Sequence, residues 1–165
     1  MNIFLYDADL IDQGDRAHYP NLALMKISAF YKDLGHNVQL KTDYAEFSPL
    51  RFDKKYDKAF IAKVFTETKV PDYVLDSEDV TIGGTGFFFD KAPSLDYKIE
   101  HYMPDYTLYD EFIKNTKSKK IKKNFYTDYS FGYTTRGCIR GCKFCVLQNE
   151  KKVILHSPID EFYDP

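Results

Sequence analysis

Ile3-Phe4-Leu5-Tyr6, then Asn21-Leu22-Ala23-Leu24-Met25-Lys26-Ile27-Ser28-Ala29-Phe30-Tyr31-Lys32-Asp33-Leu34-Gly35, then Val38-Gln39-Leu40: this stretch decides the fold. The first piece is a short unbroken apolar run, which suits a strand buried on both faces. In the second, Leu24, Ile27, Tyr31 and Leu34 recur at helical spacing and make one apolar face. Gly35 stands where a helix commonly stops, as the residue just past its end. The third piece reads as the next strand. Strand, loop, helix and strand in that order are the signature of a right-handed parallel crossover.

Two further strands are expected, at Ala59–Phe65 and at Asp79–Ile82, the second ending on Gly83-Gly84-Thr85-Gly86. Pro49 and Pro71 limit helix between them. The expectation is an α/β fold, a small Rossmann-like parallel sheet domain over residues 1–100. The polar stretch from Asp7 to His18, which contains Gly14, reads as a loop. Residues 101–128 read as a lysine-rich linker punctuated by Pro104, with a short helix over Asp105–Ile113. Six lysines crowd its end: Lys114, Lys117, Lys119, Lys120, Lys122 and Lys123. Such a run reads first as a solvated loop, with a phosphate-contacting patch as the alternative. No aromatic residues interleave it, so nucleic acid is not the expected partner.

The chain has 165 residues, 44% of them hydrophobic, and a net charge of −2. That charge provides no overall attraction to nucleic acid or to an acidic membrane. No apolar run approaches the roughly 20 residues that span a bilayer. The first residues carry no basic segment or cleavage site of a signal peptide. The expected location is the cytoplasm, with no membrane partner.

All three cysteines lie within Cys138-Ile139-Arg140-Gly141-Cys142-Lys143-Phe144-Cys145. Three clustered thiols do not make a secreted disulfide framework. They do make a ligand set. Ordinary four-iron clusters take four cysteines, so three would leave one iron open to a small molecule. Gly137 and Gly141 allow the tight turns such a loop needs, and Phe144 places an apolar ring beside the last thiol. The competing reading is zinc, which needs a fourth ligand, and His156 is the candidate. Phe131–Thr135 reads as a strand entering this loop, and Ser157-Pro158-Ile159-Asp160 as a helix start.

The spacing Cys138-x3-Cys142-x2-Cys145, with an aromatic before the last cysteine, resembles the signature of the radical S-adenosylmethionine (SAM) superfamily. The flank Thr134-Thr135-Arg136-Gly137-Cys138 resembles that superfamily's first barrel strand and cluster loop. Similar features of its cobalamin-binding-type branch are Tyr19-Pro20-Asn21-Leu22-Ala23-Leu24, Val80-Thr81-Ile82-Gly83-Gly84-Thr85-Gly86 and Tyr102-Met103-Pro104-Asp105-Tyr106. The resemblance implies that Cys138, Cys142 and Cys145 hold a 4Fe-4S cluster whose open iron chelates SAM. Reduction then cleaves SAM to methionine and a 5′-deoxyadenosyl radical. It implies residues 129–165 as the start of a truncated partial (β/α) barrel, and an electron donor such as a flavodoxin or ferredoxin.

It also implies a cobalamin-binding-like domain, with Gly83, Gly84 and Gly86 where backbone could approach the cofactor's tail. The Asp-x-His-x-x-Gly element of one cobalamin class is absent: none of His18, His36, His101 or His156 fits it. A scaffold or substrate platform is the other reading of the domain. No cysteine precedes Cys138, which argues against the methylthiotransferase branch. The superfamily's Gly-Gly-Glu-type element normally lies downstream, and Gly83-Gly84 is followed by Thr85. The expectation is a radical SAM enzyme's N-terminal part, inactive alone, with substrate class left open. The alternative is a non-catalytic α/β interaction module with a zinc- or cluster-stapled tail.

Overall fold

The computed structural model describes residues 1–13, 19–50, 53–89, 92–119, 121–145 and 152–165. Gly14, His18, Lys120 and the residues directly after Cys145 lie outside the described residues. Four parallel strands form the main sheet in the order β2-β1-β3-β4. They are β1 (Asn2–Asp7), β2 (Asn37–Lys41), β3 (Lys58–Ala62) and β4 (Val80–Gly83). In register, Leu5 faces Leu40 on one side and Phe60 on the other, and Ile61 faces Ile82. The sheet is the α/β, Rossmann-like arrangement the crossover pattern predicts.

Alternation along β1 splits the core in two. Ile3 and Leu5 point to the face covered by α2 (Leu22–Asp33), where they meet Leu24, Met25 and Ile27. Phe4 and Tyr6 point to the other face and pack with Phe47, Tyr56 and Val74 of α3 (Asp72–Leu75). A strand buried on both sides needs apolar residues at every position, which is why Ile3–Tyr6 is unbroken. Asn21 caps α2, its side-chain oxygen accepting from the Leu24 N–H at 3.3 Å. Gly35 closes the helix at φ +76°, with its N–H on the Lys32 carbonyl and that of His36 on the Tyr31 carbonyl. Leu34 was expected on the apolar face, but the helix ends before it and it is exposed.

The structure departs from the sequence expectations in several further places. Residues 8–13 form a short helix, α1 (Ala8–Gln13), instead of a loop, because Ala8 and Leu10 bury and Asp7 accepts the Leu10 N–H at 3.2 Å. The expected linker is packed. Ile99 of α4 (Tyr97–Glu100), Leu108, Tyr109, Ile113 of α5 (Asp110–Asn115), Ile121 and Tyr126 of α6 (Asn124–Thr127) all join the α2-side core. The helix predicted at Asp105–Ile113 begins only at Asp110; before it, Asp105 is tied to Ser28 and Lys32 of α2, both at 2.6 Å, and the chain makes successive turns, with the Leu108 N–H on the Asp105 carbonyl. The helix start expected at Ser157-Pro158-Ile159-Asp160 is a single 3-10 turn over Ile159–Glu161, with Pro158 before it and no side-chain cap.

Beyond α6 the chain makes a second, two-stranded sheet. β5 (Thr135–Gly137) pairs antiparallel with β6 (Val153–Leu155). The strand expected over Phe131–Thr135 is therefore displaced toward the cysteines. Gly132 lies against the Phe162 ring, and the Phe131 N–H donates to the Tyr106 hydroxyl at 3.0 Å, so residues 131–132 are held by tertiary contacts rather than by a strand partner.

Candidate metal centre

The cysteine loop leaves β5 at Gly137. Gly137 and Gly141 both take left-handed conformations, at φ +92° and +60°, each one residue before a cysteine. A side chain is disfavoured at such angles, so the two glycines set the turns that deliver Cys138 and Cys142. The Cys145 N–H donates to the Cys142 carbonyl at 3.0 Å. The Arg140 N–H points at the Cys138 sulfur at 3.4 Å, the kind of contact that tunes a metal-bound thiolate. All three thiols are half-buried.

The donor set suits a soft metal or a cluster in its chemistry. In this structure, however, no three His, Cys, Asp or Glu side chains among the described residues converge as a metal-holding group. The loop would have to draw its sulfurs together on loading. Phe144, expected to shield the last ligand, is 91% exposed instead.

The loop's foundation is more tightly built than the loop. One oxygen of Glu100, Oε1, accepts from Arg136 of β5 at 3.0 Å and from His156, just past β6, at 2.9 Å. The Lys26 ammonium of α2 reaches the same oxygen at 3.4 Å and also donates to the Glu100 carbonyl. Burial pushes the Glu100 carboxyl up, but the His156 hydrogen bond and the charges of Lys26 and Arg136 outweigh it and hold the group below the usual glutamate range. Beside this, His101 pairs with Glu161 at 2.8 Å and its ring lies 5.4 Å from that of His156. Neither Glu100 nor Lys26 stood out in the sequence. The available signal was a lysine flanked by Met25 and Ile27 in an apolar helix, and it is buried.

At the carboxyl ends of the parallel strands, Asp9 spans from β1 to the loop after β3. Its carboxylate takes the Val64 N–H at 2.7 Å, the Phe65 N–H at 3.4 Å and the Thr68 hydroxyl at 2.5 Å. Asp7, buried behind it, accepts from the Tyr109 hydroxyl at 2.8 Å, and that hydroxyl accepts the Asn21 N–H at 3.0 Å. An open depression of about 690 Å³ lies alongside, bordered by Ile11, Asp12, Tyr44, Lys63 and Val70.

Of the glycines considered for a cobalamin tail, Gly84 and Gly86 face the chain itself, while Gly83 has open space where a side chain would lie. Gly86 donates its N–H to the Lys63 carbonyl at 2.9 Å, and Lys63 donates to the Gly83 carbonyl at 3.0 Å. A Cβ on Gly84 would lie 2.3 Å from the Lys63 oxygen, and one on Gly86 would lie 2.7 Å from the Phe65 oxygen. The close approach that Gly84 and Gly86 permit is thus to the chain leaving β3. Gly84→Ala is expected to destabilise the fold by about 2 kcal/mol, from the clash and the left-handed backbone together. Urea unfolding checks this. An unchanged midpoint would mean that the glycines are not holding this turn.

Compared with protein-family models, curated proteins and solved structures, the chain finds no match in any of the three.

Proposed function

We propose that Cys138, Cys142 and Cys145 are the protein ligands of a 4Fe-4S cluster, and that the chain is the cluster-bearing part of a radical SAM enzyme. The observation that carries the reading is three thiols within eight residues, with no fourth cysteine in the chain. The left-handed glycines before Cys138 and Cys142 support it. When bound, such a cluster supplies one electron to SAM chelated at its open iron. The chain's own residues do the holding. The three thiolates bind, and Arg136, Arg140 and Lys143 place positive charge on the loop to complement the negative charge that thiolates bring.

The α/β domain is the platform on which the loop is seated, and a one-electron carrier such as a flavodoxin or ferredoxin is the partner the chemistry needs. Cobalamin is not required by this reading. Among the described residues no helix is long and apolar enough to cross a membrane, and we place the protein in the cytoplasm.

The zinc reading would recruit His156 as fourth ligand. Its Nε2 already donates to Glu100, so only Nδ1 would remain for a metal. Electron paramagnetic resonance of the anaerobically reconstituted, reduced chain tests the open iron. Addition of SAM should change the signal. A cluster spectrum indifferent to SAM would sink the radical SAM assignment while leaving a cluster in place.

A further inference from the structure

We propose that Glu100 is the positioning residue of the cysteine loop, one carboxylate oxygen tying both ends of the β5–β6 hairpin to the buried ammonium of Lys26. The significance for chemistry rests on the cluster reading above; the tether itself does not. Arg136 stands two residues before Cys138, and His156 follows β6 directly. Both meet Glu100 Oε1, at 3.0 and 2.9 Å. The chain therefore leaves and re-enters the domain at a single acceptor.

The hairpin has few other means of staying in place. Each strand is three residues long, and Val153, Ile154 and Leu155 are all exposed, so β6 buries no apolar face. A two-stranded ribbon of that length is not stable by itself in water. Among the described residues, the His156 N–H on the Thr134 carbonyl at 2.9 Å is internal to the hairpin, and the further contacts to the domain, from Ser157 and Glu161 to His101, come after β6. Glu100 is in turn fixed from below. Lys26 is buried on α2 and has the Glu100 carboxylate and carbonyl as its acceptors. A buried ammonium that loses its counter-ion is costly, so α2 holds Glu100 in place as firmly as Glu100 holds Lys26.

Two variants of the full chain test this. Glu100→Gln keeps the shape and an acceptor oxygen but removes the charge. Arg136→Ala removes one tether and leaves the Lys26–Glu100 pair intact, so that it reports even if the first variant folds poorly. Amide hydrogen exchange at Thr135–Gly137, Val153–Leu155 and His156 is compared with that of β1 and β3. The expected result is exchange roughly tenfold faster at the hairpin in either variant, with β1 and β3 little changed. After anaerobic reconstitution the variants should also hold less iron and sulfide than wild type, with an altered resonance line shape. Hairpin exchange equal to wild type in both variants would overturn the proposal. If the hairpin loosens but wild type takes up no iron and sulfide, the positioning role stands and the cluster reading falls.

Discussion

Replacing Cys138, Cys142 or Cys145 singly by alanine is expected to remove cluster binding almost completely. A four-iron cluster already held by three thiolates has no spare protein ligand among the chain's cysteines. With two thiolates, iron and acid-labile sulfide should fall from about four of each per chain to well under one. The fold should be indifferent, because the three cysteines belong to neither hydrophobic core. Surface changes of this kind usually stay within roughly 0.5 kcal/mol, so thermal unfolding should barely move. Iron and sulfide analysis beside a melting curve separates the two effects. A variant that retains full iron and sulfide would show that its cysteine is not a ligand.

The second large effect belongs to Asp7. Desolvation raises its carboxyl, against the opposing hydrogen bonds from Tyr109 and the Leu10 N–H, and the nearby charge of Asp9 raises it further, to about 6. The folded state therefore binds this proton more tightly than the unfolded chain does. Its contribution to stability is fully present below the unfolded carboxyl's pKa near 4 and is lost as pH rises through about 6. A separation of roughly two pH units corresponds to about 3 kcal/mol.

Asp7→Asn imitates the protonated form and can still accept the Leu10 N–H. It should stabilise the protein by a large part of that amount at pH 7.5 and make little difference at pH 4. Urea midpoints of wild type and variant across pH 4–8 check this. Parallel curves would mean that Asp7 titrates alike in the folded and unfolded states. A destabilised variant at pH 7.5 would mean that the ionised carboxylate is needed by Tyr109.

The sheet was legible because its elements carry strong local signals. Ile3–Tyr6 is continuous, α2 has helical spacing, an Asn cap and a Gly stop, β4 is a short run ending at Gly83, and β3 is apolar from Ala59, though it ends at Ala62, three residues short of the expected Phe65. The covering of the α2 face by residues 95–126 was not legible. Leu95, Ile99, Leu108, Ile113 and Ile121 are scattered through Pro- and Lys-rich sequence without a period, and the helices there have four to six residues. Such elements are selected by tertiary packing and not by their own propensity. Helix α1 was hidden for a related reason: Asp7 and Asp9 look like loop residues until their carboxylates are seen accepting backbone N–H groups.

At the candidate site the ligand types and spacing can be read from eight residues, but their support cannot. Glu100 lies 36 residues from Arg136 and 56 from His156 in sequence, and no local pattern links them. The exposure of Phe144 was equally unreadable, since an aromatic beside a ligand looks the same whether it turns inward or out.

Three thiolates of this chain are proposed to hold a cluster. Anaerobic reconstitution of the wild-type chain with ferrous iron and sulfide, followed by metal and sulfide analysis, tests it most directly. About four iron and four sulfide per chain, with no bound zinc, are expected. One zinc per chain, with no acid-labile sulfide, would contradict it.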